Sequence, residues 1–278
     1  MNVKVFRSLE KFIVYLLLII VALIVLLPVT WIVLSSLQEG NSLFSSTFIP
    51  KKLTFKHYVA LFEETDFLLW YWNTFKIAVA NMGVSLVITT LTAYVFSRYN
   101  FRGKKTTLIT VLVLQMFPSF LAMTAIFILL SKLNLLDTHL GLILVYSAGQ
   151  VPYNSWLVKG YFDGIPKTLD EAARVDGAGH LTIFLKIIMP LARPILVLIA
   201  ITNFMGPWFD FIFPNLVLRS HNKRTLAMGI FDWIQTGAND NFTMFAAGSI
   251  LVAVPITILF LILQKHIVKG LSAGAVKG

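Results

Sequence analysis

Six stretches of this chain carry no charged side chain over a length that matters: 12–34, 77–97, 106–131, 140–158, 194–209 and 245–263. A helix rises about 1.5 Å per residue, so roughly 20 such residues cross a hydrocarbon core of about 30 Å. A water-soluble protein of 278 residues that is 57% apolar and only 13% charged cannot hide that much surface, because a domain of this size keeps a large exposed area. Lipid removes the difficulty. The expectation is an all-α integral membrane protein of about six transmembrane helices, forming a single domain over residues 1–278.

The first stretch follows a basic start (Lys4, Arg7, Lys11), as a signal peptide does. It exceeds the usual apolar region of about 7–15 residues, and no small-x-small site ends it, so it reads as a membrane helix. The fifth stretch is the irregular one. It is short, and Pro190, Pro194, Gly206 and Pro207 predict a kinked or interrupted helix. Broken backbone survives in a membrane only where protein or a water-filled cavity satisfies the freed groups, which assigns this helix to a cavity wall.

Lysine and arginine set the orientation. With the N-terminus inside, fifteen fall on inner segments and eight on outer ones, so both termini are expected in the cytoplasm. The outer loops are then about 36–72 and 214–244, and 160–185 is the one long inner loop. The basic residues sit in short clusters between apolar runs, which argues against nucleic acid despite a net charge of +10. Without cysteine there are no disulfides or thiolate metal sites. The five histidines are scattered over both sides with no metal-ligand spacing, and no glycine-rich loop ending in Lys is present to cradle ATP. Neither catalysis, a metal, nor a cofactor is expected in this chain.

Within the inner loop, Thr168 and Glu171 have the spacing of a capping box, and Asp170 and Glu171 suit the positive start of a helix. Gly177 or Gly179 supplies the left-handed residue that ends one. The segment predicts a helix of two to three turns. On capping alone, an amphipathic loop helix with no further duty explains it.

The wider pattern says more. Glu171-Ala172-Ala173, three residues, Gly177, nine residues, Ile187, one residue, then Met189-Pro190 resembles the EAA signature of ABC importer permeases, EAA-x3-G-x9-I-x-L-P. It departs only at Met189, a volume-conserving exchange for Leu. The resemblance extends over essentially the whole chain and implies the type I importer permease fold, with a cytoplasmic coupling helix docked on an ATPase subunit. Glu171 would anchor it, Ala172 and Ala173 would pack, and Gly177 would turn the chain into the next span. It also implies the partners: a second homologous permease, an ABC ATPase dimer that uses ATP and Mg, and an extracellular sugar-binding protein. The location implied is the cytoplasmic membrane of a prokaryote.

The last residues, Gly270-Leu-Ser-Ala-Gly-Ala-Val-Lys-Gly278, are similar to the tail of the smaller permease of maltose and maltodextrin importers, as are 36–41, 225–229, 245–248 and 255–259. In that subfamily the tail reaches the ATPase interface, which points to Gly274, Val276 and Lys277. Read alone, a small, glycine-rich terminus is a frayed end. The implied substrate is maltose, maltodextrin or a related oligosaccharide, with another sugar or polyol as the alternative. An ion-driven secondary transporter is disfavoured, since neither internal repeats nor ionisable side chains within the spans are visible.

The subfamily's outer loop before the last span reaches toward the sugar. Here it is about 215–241, where Trp233 can stack on a pyranose and Gln235 and Asn239 can hydrogen-bond hydroxyls, as can Asn222 and Asn241. A solvated loop with one buried aromatic is the competing reading. Asn203, Trp208 and Asp210 are candidates for the pore, because polar groups in lipid normally face protein or water. Asn203 serves equally well as glue between helices, and an interfacial belt explains the neighbouring phenylalanines. Gln115, Asn81 and Gln150 receive no role.

Overall fold

The computed structural model describes residues 3–40, 49–50, 52–116, 118–235 and 241–275. They are helical apart from turns and one isolated antiparallel bridge between Gln38 and Leu53. In chain order the helices are α1 (Val3–Ser36), α2 (Lys56–Glu63), α3 (Phe67–Arg98), α4 (Lys104–Gln115), α5 (Ser119–Lys132), α6 (His139–Asp163) and α7 (Lys167–Val175). Then come α8 (His180–Ile183), a π-helical turn (Phe184–Ile188), α9 (Met189–Leu191), α10 (Arg193–Phe209), α11 (Ile212–Val217), α12 (Leu226–Gln235) and α13 (Phe242–Ala275).

Among the described residues three helices, over Leu9–Ser36, Phe67–Arg98 and Phe242–Lys265, are long and apolar enough to cross a membrane, and counting each of two bent pairs as one span gives up to five. The sixth is α6. Its 25 residues span about 37 Å at 1.5 Å each. Its lower apolarity comes from Ser147, Asn154 and Ser155, all buried inside the protein. Such a helix shows lipid only part of its circumference.

Two spans are broken. The third sequence window, 106–131, reads as one unbroken run, but it divides into α4 and α5, which lie 102° apart. Pro118, the N-cap of α5, lacks the N–H that a continuing helix would need. The fifth span bends by 81° between α9 and α10, where Ala192 leaves helical geometry. The break falls among Pro190 and Pro194. Gly206 and Pro207, also expected to interrupt this span, lie inside the continuous α10.

The chain gathers into two compact units, 1–66 with 230–253, and 67–229 with 254–278. In the first, α1 is exposed continuously from Leu9 to Thr30, so its apolar surface is left to lipid or to another chain. The end of α1 is tied to α2 by Ser36 and Tyr58, 2.8 Å apart. Buried His57 bridges Gln38 O (2.9 Å) and Thr243 Oγ1 (3.3 Å).

In the second unit α3 packs along α6 and α10. One apolar cluster lies at the end of α6 nearest α7, built from Ala93, Tyr94, Phe162, Ile183 and Ile188 among others. Another lies at the opposite end, around Ile77, Leu142, Phe213 and Met228. Gly229 is needed there, because a Cβ at that position would meet the Trp70 ring at 2.0 Å.

Candidate functional site

The loop after α6 forms the expected short helix, but with different capping. The N-cap of α7 is Pro166, with no side-chain cap bond, and Thr168 lies inside the helix. The capping box over Thr168 and Glu171 is therefore absent. Proline fixes φ near the helical value and lacks a donor to satisfy, so the chain turns helical directly behind it. The other end closes as expected. Gly177 has φ +83°, its N–H reaches Arg174 O at 3.0 Å and Ala178 N–H reaches Ala173 O at 2.9 Å. This is a Schellman closure, with Ala173 and Ala178 both packed on the apolar cluster beneath.

Asp170 and Ala173 share one face of α7, and that face turns inward. Asp170 pairs with Arg98, the last residue of α3, at 2.8 Å, with side-chain exposures of only 3% and 2%. The remaining guanidinium nitrogens donate to Phe162 O (2.9 Å), Ile165 O (3.1 Å) and Ser97 Oγ (3.2 Å). Ser97 in turn donates to Asp163 at 2.7 Å, and Lys159 reaches the same carboxylate. Burial alone would raise the Asp163 carboxyl, but the hydrogen bonds from Lys159 and Ser97 hold it below its ordinary value. One arginine thus ties together α3, the end of α6 and α7.

The opposite face of α7 is bare. Thr168, Glu171 and Ala172 are exposed, and Val175 is 88% exposed. Of the two alanines read as packing on a partner, Ala172 points outward, while Ala173 packs on the chain's own core. Arg98 and Asp170 were missed from sequence. Arg98 entered only as a topology charge, and Asp170 only as a helix-start acid. The available signal was helical spacing: Asp170 falls three residues before Ala173, on the same face of the helix.

A second polar assembly lies midway along the spans of the same unit. Asn81 Nδ2 on α3 donates to Asn203 O (2.8 Å) and Gln150 Oε1 (3.1 Å), and its Oδ1 accepts from Ser85 and Ser147, both at 3.2 Å. Asn154 Nδ2 on α6 donates to Asn203 Oδ1 at 2.9 Å. Asn203, 2% exposed, keeps its own Nδ2 buried without a partner. Gln115 Nε2 closes on Gly149 O at 3.0 Å. Asn203 therefore joins helices, the alternative weighed from sequence. Asn81 and Gln150 turn out to be members of the same network. Ser147, Gln150 and Asn154 at i, i+3 and i+7 mark one face of α6, a pattern the sequence did display.

The other two pore candidates part company. Trp208 is buried against Tyr71 (ring centroids 5.1 Å apart) and Phe204 (5.8 Å). Asp210 lines a mainly apolar cleft of about 530 Å³ between α5, α6 and α11, accepting from Tyr146 OH (2.8 Å) and Phe213 N (3.2 Å).

In the segment before α13, Asn241 caps the helix, accepting from Thr243 Oγ1 and Met244 N, both at 3.0 Å. Trp233 is half-buried beside Gly248. Further back, Asn73 Nδ2 holds Asn222 O and Arg224 O at 2.9 and 3.0 Å. Asn239, Val276 and Lys277 lie outside the described residues, as do the side chains of Gln235 and Gly274's surroundings. Among the described residues no group of three or more His, Asp or Glu could hold a metal ion.

Residues 85–273 match the family described as binding-protein-dependent transport system inner membrane component. The galactooligosaccharides transport system permease protein GanQ of Bacillus subtilis (strain 168) is 41% identical, over 100% of this chain and 99% of its own length. The maltodextrin transport system permease protein MdxG of the same strain is also 41% identical, over the full length of both chains. The maltose/maltodextrin transport system permease protein MalG of Escherichia coli (strain K12) is 35% identical over 96% of each. Among solved structures, a chain of a bacterial ABC transporter involved in the import of the acidic polysaccharide alginate superposes with a TM-score of 0.78 and 25% identity, covering 95% of this chain and 98% of that one.

Proposed function

This chain belongs to the family of binding-protein-dependent transport system inner membrane components, and on that premise we propose that it is one permease subunit of an ATP-driven importer of oligosaccharides. Its fold is that of an ABC importer permease. A second permease completes the translocation path, a substrate-binding protein delivers sugar outside, and a separate ATPase dimer uses ATP and Mg inside. Both termini lie in the cytoplasm, following the lysine and arginine distribution. The tail around Gly274, Val276 and Lys277 reaches the ATPases, and Trp233, Gln235 and Asn239 belong to the outer loop that meets the binding protein.

The observation that carries this reading is the two-faced character of α7. One face is clamped to the spans by the buried Arg98–Asp170 pair, while the other leaves Glu171, Ala172 and Val175 bare. An apolar residue exposed outside the membrane segments, beside a carboxylate, suits a docking surface. A helix fixed so firmly to its own spans transmits a push as a rigid lever and opens the path alternately to each side.

The test is Glu171→Lys in the assembled transporter. The subunit should insert and pair with the second permease, while recovery of the ATPase on purification and sugar uptake into vesicles both fall at least about tenfold. Normal uptake with normal ATPase recovery would overturn the docking assignment.

A further inference from the structure

In the first compact unit the turn after α1, the helix α2 and the start of α13 meet at one buried histidine. His57 on α2 is 7% exposed, and Thr243 on α13 is fully buried. His57 Nε2 lies 2.9 Å from Gln38 O, and its Nδ1 lies 3.3 Å from Thr243 Oγ1. Thr243 Oγ1 is also 2.7 Å from Gly40 O and 3.0 Å from Asn241 Oδ1. That Asn241 atom accepts from Met244 N at 3.0 Å, so it is the amide oxygen and not the nitrogen.

Counting protons shows which form of the ring this setting suits. A neutral imidazole carries one N–H, and Nε2 must hold it, because Gln38 O can only accept. Nδ1 then turns a lone pair toward Thr243 Oγ1. The single hydroxyl proton of Thr243 already faces two oxygens that can only accept, Gly40 O and Asn241 Oδ1. Lending it to Nδ1 would leave both of them without it, a cost for buried polar groups. With a proton on each ring nitrogen the conflict disappears. Nε2–H donates to Gln38 O, Nδ1–H donates to Thr243 Oγ1, and the threonine hydroxyl donates to Gly40 O.

The charges nearby agree. A cavity of about 460 Å³ adjoins the ring, lined by Glu39 from the turn after α1 and by Lys56 and Glu64 at the two ends of α2. The start of α13 adds Asn241 and Met244, neither of them charged. Tyr58, the next titratable side chain on α2, is held by Ser36 at 2.8 Å. Two carboxylates against one ammonium leave one negative charge over, the complement of an imidazolium.

We propose that His57 is a proton-operated fastening. Doubly protonated, it ties α2 to the turn after α1 and to the start of α13; loss of the Nδ1 proton slackens the tie to α13. Histidine is the side chain that ordinarily changes charge between about pH 5 and 8, and a proton and the closed tie favour one another. The fastening is therefore tight in acid and looser in mildly alkaline solution. It needs only the geometry of this unit, while the side from which pH acts, the outside, rests on the orientation proposed above.

The test is amide hydrogen exchange of the full chain in lipid nanodiscs, read by mass spectrometry over 34–40 and 241–247. Rates are divided by those of the same peptides unfolded, which removes the intrinsic effect of pH. Met244 N–H and Phe245 N–H bond Asn241 Oδ1 and Asn241 O at 3.0 and 2.9 Å. Their protection should fall about threefold to tenfold from about pH 5.5 to about pH 8. In His57→Gln, which has no proton to lose, that dependence should vanish. Thr243→Ser keeps the hydroxyl and should keep the dependence, whereas Thr243→Val removes the oxygen that Nδ1–H needs and should abolish it. If His57→Gln does not fold, the two Thr243 variants carry the test.

Protection that ignores pH in the unaltered chain would overturn the proposal. So would a dependence that survives in His57→Gln, or one in Thr243→Val equal to that of the parent. In sealed proteoliposomes with the inner pH held constant, changing the outer pH should reproduce the effect. A response to the inner pH alone would uphold the fastening and overturn the orientation instead.

Discussion

The Arg98–Asp170 joint and the Asn81–Gln150–Asn154–Asn203 cluster do the same mechanical job with opposite chemistry. Each ties α3 to α6 and to a third helix: α7 at the inner joint, α10 in the cluster. The joint uses full charges, the cluster only neutral amides and hydroxyls. The difference follows from what surrounds each. The last carbonyls of a helix and those of the loop behind it have no intrahelical partner, so Phe162 O at the end of α6 and Ile165 O just beyond it are available to absorb a guanidinium. Halfway along, most carbonyls are already engaged within their own helix, and a lone charge has little to offset its desolvation. Charge therefore fastens the ends and amides fasten the middle.

Removing one member of the joint should have the largest effect. Asp170→Ala leaves a guanidinium buried at 2% exposure without its counter-ion, a loss of about 3–5 kcal/mol. Thermal unfolding of the detergent-solubilised chain should show it as a large drop in melting temperature. Replacing both members, as in Arg98→Met with Asp170→Leu, should recover most of that stability, because the orphaned charge disappears with its partner. A single variant as stable as the parent would show that water reaches the joint, and the contrast with the amide cluster would collapse.

How much of this was legible in the sequence depends on the kind of signal. The spans and the inner helix were legible because apolar length and the Glu171–Pro190 spacing are local patterns. The left-handed turn at Gly177 was readable for the same reason. The helix start was misread because Thr168–Glu171 satisfied a capping pattern, while Pro166, two residues earlier, had already fixed the backbone. The break at Pro118 was overlooked inside a window that looked uniform by charge alone. The joint was out of reach in a different way. Arg98 and Asp170 are 72 residues apart, and only folding α3 against α6 brings them together. The amide cluster sits between these cases: its face on α6 was periodic, but its partners on α3 and α10 were not predictable.

The second test addresses the cluster. Asn81→Leu removes the donor shared by Asn203 O and Gln150 and the acceptor shared by Ser85 and Ser147. Hydrogen bonds between spanning helices contribute only about 0.6 kcal/mol on average and about 1.7 at most, because separated helices in lipid find other partners. The melting temperature should fall measurably but well short of the Asp170→Ala drop. An equal or greater drop would mean that the middle, not the end, holds α3 to α6.

The smallest effect should come from a charge fastening at the other end of α6, and it also carries a pH signature. Asp137, in the turn before α6, accepts from the backbone N–H groups of Arg219 and Ser220 at 2.9 Å, from Ser220 Oγ, and from Lys223 at 3.3 Å. Burial pushes its carboxyl up, but these donors outweigh it and hold the group below the usual carboxylate range. A carboxyl with a depressed folded value contributes stability that is present above its unfolded value, about 3.9, and is lost as pH falls through the folded one. Asp137→Asn should therefore lower the melting temperature at neutral pH by the modest amount expected of a partly exposed fastening, under about 1 kcal/mol. The gap to the parent chain should hold from about pH 8 to pH 5 and close in more acidic buffer. A gap that stayed open on acidification would mean that the turn is held by the backbone donors regardless of charge. The rule that charge fastens the ends would then apply to the α7 joint alone.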